Sequence, residues 1–399
     1  EYDIFVNHSF TSEDLCLANH GLYVTFFPQE YRSGNFAAQD FPLLKVGDGA
    51  RADSTVADAV QLAPSAVISF ESKSANSVTF VLECETESTI VRIGSEPTEI
   101  QVVRRGRSFI RLNLGAGTTS LRFQGEASAR LLSPRADDGR RIAVPGSPAS
   151  GQPAFTATYD RVLGNSAYTS KWIGHRWRVD APIHYPPVAL RQPGTTKENV
   201  ILSIGRFFGE ESGHCKQQLQ LVRAFRRLLD AGLKDWRLVL IGGADKAYRE
   251  YALAVRREAA GLPIDVLLNA DFGTLNDELA RASIYWHATG LGMDLTHHPE
   301  RAEHFGIAPV EAMSAGAIPV LFNAGGPAEI VRPGLDGFLF SSVDDLVSIT
   351  RTIIEMSEIE REALRNAAVT RSQEFSSQRF ATELLAHIHD IVSGENVSL

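Results

Sequence analysis

From about residue 199 to the C-terminal helix, short buried apolar runs alternate with helical stretches, and this limits the fold more than any other feature of the chain. NVILSIG (199–205), WRLVLIGG, IDVLLN, SIYWHATG, AIPVLFN and GFLFSS read as strands. KQQLQLVRAFRRLLDAG, DKAYREYALAVRREAAG and the run through LNDELARA carry helical period, the first stopping at a Gly. After GFLFSS the chain is helical to about Val392. This alternation predicts a parallel sheet covered on both faces, where ligands bind at the carboxyl ends of the strands.

The upstream half is different. From about Pro42 to about Arg141, VISFES, SVTFVLECE, STIVRIG, EIQVVRR, SFIRLNL and SLRFQG are short alternating runs broken by Ser, Asn and Gly, which predicts a β-sandwich. Phe70, Phe80, Phe109 and Phe123 are expected in its core. Arg104, Arg105 and Arg107 form a basic cluster, read as a solvated strand edge that resists aggregation or as an acceptor-binding patch. AVPGSPASGQPA (143–154) reads as a linker.

Composition narrows the function. A net charge of −9 argues against broad nucleic-acid binding. No apolar run reaches the length of a membrane span, although a local basic patch leaves peripheral membrane contact open. Cys16, Cys84 and Cys215 lie far apart, which suggests a reducing, cytoplasmic compartment rather than a disulfide framework. No signal peptide is evident. The chain starts on YDIFV without an initiator Met and reads as a piece of a longer protein.

Three segments are expected to meet at the sheet edge. In SIGRFFGEESGHCKQQ (203–218) a strand runs into Gly205 and Arg206, and Lys216 stands at the start of the next helix. There the Arg fork and the Lys point charge would converge on a diphosphate; surface basic residues near a helix start look the same. In EHFGIAPVE (303–311) a helix beginning near Phe305 or Gly306 would aim free N–H groups at a phosphate. Gly306 permits close approach, and Pro309 suits a first turn. Eight residues of helix span roughly 12 Å, about the reach from a ribose across a diphosphate to a sugar ring. Glu311 would then hold ribose hydroxyls and Glu303 those of the sugar. The plainer alternative is a capping Glu303 and a surface Glu311, but the neighbours of Glu311 look buried, and a buried carboxylate needs a partner. In NAGGPAEIV (323–331), Gly325 and Gly326 turn the chain and Pro327 opens a helix; a plain turn fits nearly as well.

Three patterns are decoys. His297, His298, Glu300, Glu303 and His304 crowd together, but HExxH spacing is missing and a Pro interrupts, so no metal is expected. DFG (271–273) lacks companion kinase motifs, and GGADK lacks Walker spacing.

Together GRF…K, EHFGIAPVEAMSAGAIPV and GGPAEIV resemble the nucleotide-sugar half of the retaining family-four glycosyltransferases, whose mark is the Glu-x7-Glu pair. YDRVLGNSAYTSKWI with YPPV (159–173, 185–188) resembles that family's passage between domains. The donor-half resemblance covers about 190–375. It implies an α/β, GT-B type fold: two Rossmann-like lobes, the first incomplete here, plus an inserted all-β sandwich. The bounds would be 1–41 in the acceptor-side lobe, 42–141 the sandwich, 142–189 a linker and return, 190–373 the donor domain, and 374–399 a helix back to the first lobe. It also implies retaining transfer of a hexose from a UDP- or GDP-sugar to a glycan or lipid-linked glycan, with neither metal nor cofactor. By that analogy Arg206 and Lys216 neutralise the leaving diphosphate, aided by N–H groups at Phe305, Gly306 and Ile307. Gly205, His287, Gly325 and Gly326 line the donor site; Glu303 positions the sugar, Glu311 the ribose. His287 equally suits core packing. Phe26, in GLYVTFFPQE, stands where relatives carry a His near the reacting sugar, and His8, in VNHSF, is the candidate substitute on the acceptor side. The glycine-rich first loop of the family is missing. These departures sustain an alternative, a non-catalytic glycan-binding or scaffolding protein with a degenerate transferase domain.

Overall fold

The structure is a computed structural model that describes residues 3–9, 13–18, 20–29, 43–73, 76–93, 98–103, 105–114, 116–136, 141–142, 144–145, 147–148, 151–194 and 196–394. The chain forms two compact units: Glu1–Gly164 with Ser170–Pro182 and His387–Leu399, and Asn165–Thr169 with Ile183–Ala386.

In the first unit β1 (Ile4–Ser9), β2 (His20–Thr25) and β3 (Arg161–Gly164) form a parallel sheet with β2 central. Tyr23 of β2 packs on Phe155, Tyr159 and Trp177; Trp177 ends helix α1 (Ala167–Trp177). The same unit holds two antiparallel five-stranded sheets. One contains strands Leu43–Val46, Val67–Ser72, Ser88–Ile93, Thr98–Val103 and Gly117–Gly125; the other contains Ala50–Ala52, Ala59–Leu62, Asn76–Cys84, Gly106–Leu114 and Ala129–Ala136. Their facing side chains share one apolar core that includes Phe70, Phe80, Leu112 and Phe123. Phe109, expected inside, is 51% exposed. Its strand buries Ile110, Leu112 and Leu114, and Phe109 falls in the opposite phase with Arg107, Arg111 and Asn113. Arg104 lies outside the described residues. Arg107 bonds Glu83 at 2.9 Å from the sheet's edge strand. The end of the predicted linker is also structured: Gln152–Pro153 pairs in parallel with Val56–Ala57.

The second unit meets the α/β expectation. Strands β4 (Glu198–Ile204), β5 (Arg237–Gly242), β6 (Ile264–Leu268), β7 (Ala282–His287), β8 (Ile318–Phe322) and β9 (Phe338–Phe340) form one parallel sheet in the order β6-β5-β4-β7-β8-β9. The helices are α2 (Gln218–Asp230), α3 (Arg249–Ala259), α4 (Phe272–Arg281), α5 (Ile307–Ser314), α6 (Pro327–Ile330), α7 (Val343–Glu355), α8 (Glu358–Ser372) and the first part of α9 (Ser377–Ser393), whose residues from His387 belong to the first unit. Alternate strand residues feed two cores. Ile201, Leu240 and Trp286 meet α2, α3 and α7; Leu202, Ile241 and Tyr285 meet α4, α5 and α8. The strand order reverses between β4 and β7, which opens a crevice at their carboxyl ends. The DFG decoy is a helix cap, with Asp271 accepting from Thr274 N at 2.8 Å at the start of α4. Among the described residues no helix is long and apolar enough to cross a membrane.

Candidate functional site

The crevice between β4 and β7 is built around glycines. A Cβ on Gly205, at the end of β4, would lie 2.6 Å from Lys216 Cγ, so a bare backbone is what lets the lysine cross there. A Cβ on Gly242, at the end of β5, would sit 2.0 Å from the Gly205 carbonyl oxygen. Lys216 is not in the first turn of a helix, as expected, but two residues before α2, whose N-cap Gln217 is left-handed at φ 58.

Lys216 Nζ is 2.5 Å from Glu303 Oε2. His287 Nε2 lies 2.9 Å from the same oxygen. Thr289 Oγ1 is 3.3 Å from that oxygen and 3.0 Å from the His287 nitrogen. A carboxylate only accepts, so His287 donates Nε2–H to it. Burial alone would raise the Glu303 carboxyl; the Lys216 charge, then the His287 bond, override it and hold the group well below the usual range. Burial lowers His287 despite Glu303, which keeps the ring neutral. His287 is thus both a core residue, 3% exposed, and a partner of the site carboxylate. His214 is lowered by burial first, and then Lys216, Glu303, Arg206 and Glu300 all act on it. Arg206 is exposed, with its guanidinium over the Phe208 ring at 5.2 Å, and it is not bonded to the Lys216–Glu303 pair.

The Glu303–Glu311 span is not one helix. Helix α5 starts at Ile307, and Gly306 before it takes φ +113, so residues 303–306 are a loop. No side chain caps α5, which leaves its first N–H groups to the exposed edge where Ile307 is 46% accessible. Phe305 is buried against Tyr185 and Phe375 and anchors the loop through its ring. Gly325 and Gly326 do not present an open anion turn, because α6 has only four residues and the turn packs onto the loop. A Cβ on Gly325 would meet Glu303 O at 2.2 Å, and one on Gly326 would meet Phe305 Cα at 2.3 Å. Gly326 N donates to Glu303 O at 2.8 Å. Ser166 Oγ donates to His304 O at 2.5 Å.

Glu311 has its own partner: Arg191 Nη2 at 2.6 Å. Arg191 lies 4.9 Å over the Phe272 ring and donates its N–H to Ser314 Oγ. Tyr285 is fully buried and its hydroxyl donates to Ile204 O at 3.4 Å; burial raises its phenol against that bond, and the Glu303 and Glu311 charges add to the rise. The histidine crowd disperses: His297 bonds Asp294 at 2.7 Å, His298 lies 3.4 Å from Glu300, and buried His304 donates to Glu300 O at 3.1 Å. Burial holds the His304 ring down at about 4. His8 and Phe26 belong to the first unit, on β1 and just after β2, with ring centroids 5.1 Å apart.

Arg191, Thr289, Tyr285 and His214 were missed in the sequence. Thr289 was recoverable, since it stands two residues past His287 in WHATG. Arg191 gave no local signal.

Residues 191–371 match the family described as "Glycosyl transferases group 1". A GDP-Man:Man(3)GlcNAc(2)-PP-Dol alpha-1,2-mannosyltransferase of Xenopus laevis is 31% identical over 248 residues, covering 57% of this chain and 48% of that protein. The Homo sapiens protein of the same description is 31% identical over 255 residues, 58% and 49%. The chain thus spans about half the length of these curated relatives. Sucrose-phosphate synthase from Thermosynechococcus elongatus superposes with a TM-score of 0.48 at 18% identity, over 59% of each chain.

Proposed function

We propose that this chain, whose residues 191–371 form a glycosyltransferase group 1 domain, transfers mannose from GDP-mannose to a lipid-linked oligosaccharide at a membrane surface, with retention and without a metal. The observation that carries the reading is the meeting of Lys216, His287 and Glu303 at the β4/β7 crevice, beside the uncapped start of α5. The curated relatives supply the donor and acceptor class.

The chemistry follows from charge. The leaving diphosphate gains negative charge as the glycosidic bond breaks, and fixed positive groups facing it lower that barrier. Arg206, Lys216 and the first N–H groups of α5 would fill this role. Glu303, steadied by the His287 bond, would accept from sugar hydroxyls once the Lys216 ammonium turns to phosphate. Glu311, oriented by Arg191, would accept from the ribose. The acceptor hydroxyl attacks from the face the diphosphate leaves. His8 and Phe26 are assigned to the acceptor side.

The test is calorimetric titration with GDP-mannose and UDP-glucose, followed by transfer to a lipid-linked oligosaccharide in EDTA. GDP-mannose binding with metal-independent turnover is expected. No nucleotide-sugar binding at millimolar concentration would overturn the reading. Binding without turnover would favour a non-catalytic glycan-binding role.

A further inference from the structure

The sandwich carries a row of charged and polar side chains across one of its sheets. In the sheet containing Ala50–Ala52, Ala59–Leu62, Asn76–Cys84, Gly106–Leu114 and Ala129–Ala136, Arg107 stands opposite Glu83, Glu83 opposite Arg130, Arg130 opposite Gln61, and Gln61 opposite Arg51. Neighbours such as Cys84, Leu62 and Ala129 point into the core, so the row lies on the outer face. It crosses all five strands. Glu83 binds the Nε of Arg107 at 2.9 Å and of Arg130 at 2.8 Å, one on each oxygen. Gln61 accepts from Arg51 Nε at 3.0 Å and donates to Asp53 Oδ2 at 3.1 Å.

These bonds hold the guanidiniums by their Nε edges. Among the described residues, no further bond is made by Nη1 of Arg130 or by either Nη group of Arg51. Cross-strand pairing alone favours alternating charge, yet Gln61 stands between two arginines where Glu would neutralise them. The row therefore keeps a positive surplus. It borders an open groove of about 1240 Å³, lined by Arg51, Gln61, Glu83, Glu85, Arg105 and Arg130 among others. That exceeds the roughly 300–1,000 Å³ of a typical small-molecule pocket and suits a short chain of linked rings.

We propose that this groove binds an acidic oligosaccharide, its carboxylate or phosphate groups taken by Arg51, Arg105 and Arg130. The test uses the full chain and calorimetry with tetragalacturonate, a phosphorylated mannotetraose and neutral mannotetraose. At least one acidic probe binds, salt weakens it, and the neutral one binds at least tenfold more weakly. The two acidic probes tell carboxylate from phosphate. The double variant Arg51→Ala/Arg105→Ala, both exposed positions, and the single variant Arg105→Glu lose at least tenfold in affinity while the melting temperature holds. No binding by any probe at about 10 mM, equal binding of the neutral probe, or unchanged affinity in both variants overturns the proposal. So does Arg105-dependent binding to phosphatidylglycerol vesicles without saccharide binding. GDP-mannose titrations of the same variants are expected to be unaltered, so either proposal can fail alone.

Discussion

Substituting Gly326 with Ala tests how the Glu303 loop is held. The added Cβ would lie 2.3 Å from Phe305 Cα, 2.5 Å from Phe305 O and 2.6 Å from His304 O, all backbone atoms that cannot rotate away. Relief needs a shift of about 1 Å or more, since unforced contacts sit at the sum of van der Waals radii. That shift strains the 2.8 Å bond from Gly326 N to Glu303 O, worth about 1 kcal/mol, and disturbs the Phe305 ring in its aromatic niche. Overpacking of this kind costs roughly 1–3 kcal/mol, so the total is about 2–4 kcal/mol. A domain of this size loses about 2–4 °C per kcal/mol, so the melting temperature should drop by roughly 5–15 °C. Glu303 would move with the loop, and on the proposed function GDP-mannose affinity should fall at least about tenfold. The control is Gly334→Ala, where φ is +78 but the Cβ meets nothing within 4 Å; its cost is only backbone strain, about 1 kcal/mol. Calorimetric melting and donor titration read both effects. A Gly326→Ala protein that melts like the control and binds donor normally would refute the view that this turn clamps the loop.

Lys216→Met should lower kcat by roughly 10²–10³-fold with a smaller change in donor Kd, and adding Glu303→Gln should cost little more, because the two act as a unit; steady-state kinetics of the single and double variants decides. Arg191→Ala releases Glu311 and should weaken donor binding roughly tenfold, about 1.4 kcal/mol, which titration measures. Glu303 has a folded-state pKa below its unfolded value, so its stabilisation is present above pH 4.5 and is lost as pH falls below that. Melting of Glu303→Gln should therefore be less acid-sensitive than wild type in that range. His304, held down at about 4, should stay neutral by NMR at pH 5, with stability declining as pH falls from about 6.5 towards 4.

The parallel sheet of the second unit was legible because each of its central strands is a nearly unbroken apolar run between a helix and a glycine, as in NVILSIG and WRLVLIGG. Both faces of that sheet are covered, so composition and position coincide. The sandwich was harder. Phe109 was misplaced because aromatic character outweighed phase; SFIRLNL puts it with Arg and Asn. The strands at Ala50–Ala52 and Ala59–Leu62 lie in an Ala- and Asp-rich stretch with little alternation to read. Lys216 and Glu303 were both singled out from the sequence, but their direct contact was not, since it joins residues 87 positions apart. The pairing of Glu311 with Arg191 spans 120 positions and leaves no local mark. The break at Gly306 also depends on Gly325 and Gly326, which press on the loop from a distant turn.

On the proposed roles of Glu303 at the sugar and Glu311 at the ribose, that break at Gly306 separates two reading heads. Glu311 rides a helix wedged in the core, while Glu303 rides a short loop across the glycine pivot. A nucleotide varies little among donors, whereas the sugar varies a great deal. Exchanging residues 303–305 would therefore retune the sugar end while the nucleotide end keeps its register, which makes this loop the natural place to begin redesigning donor preference.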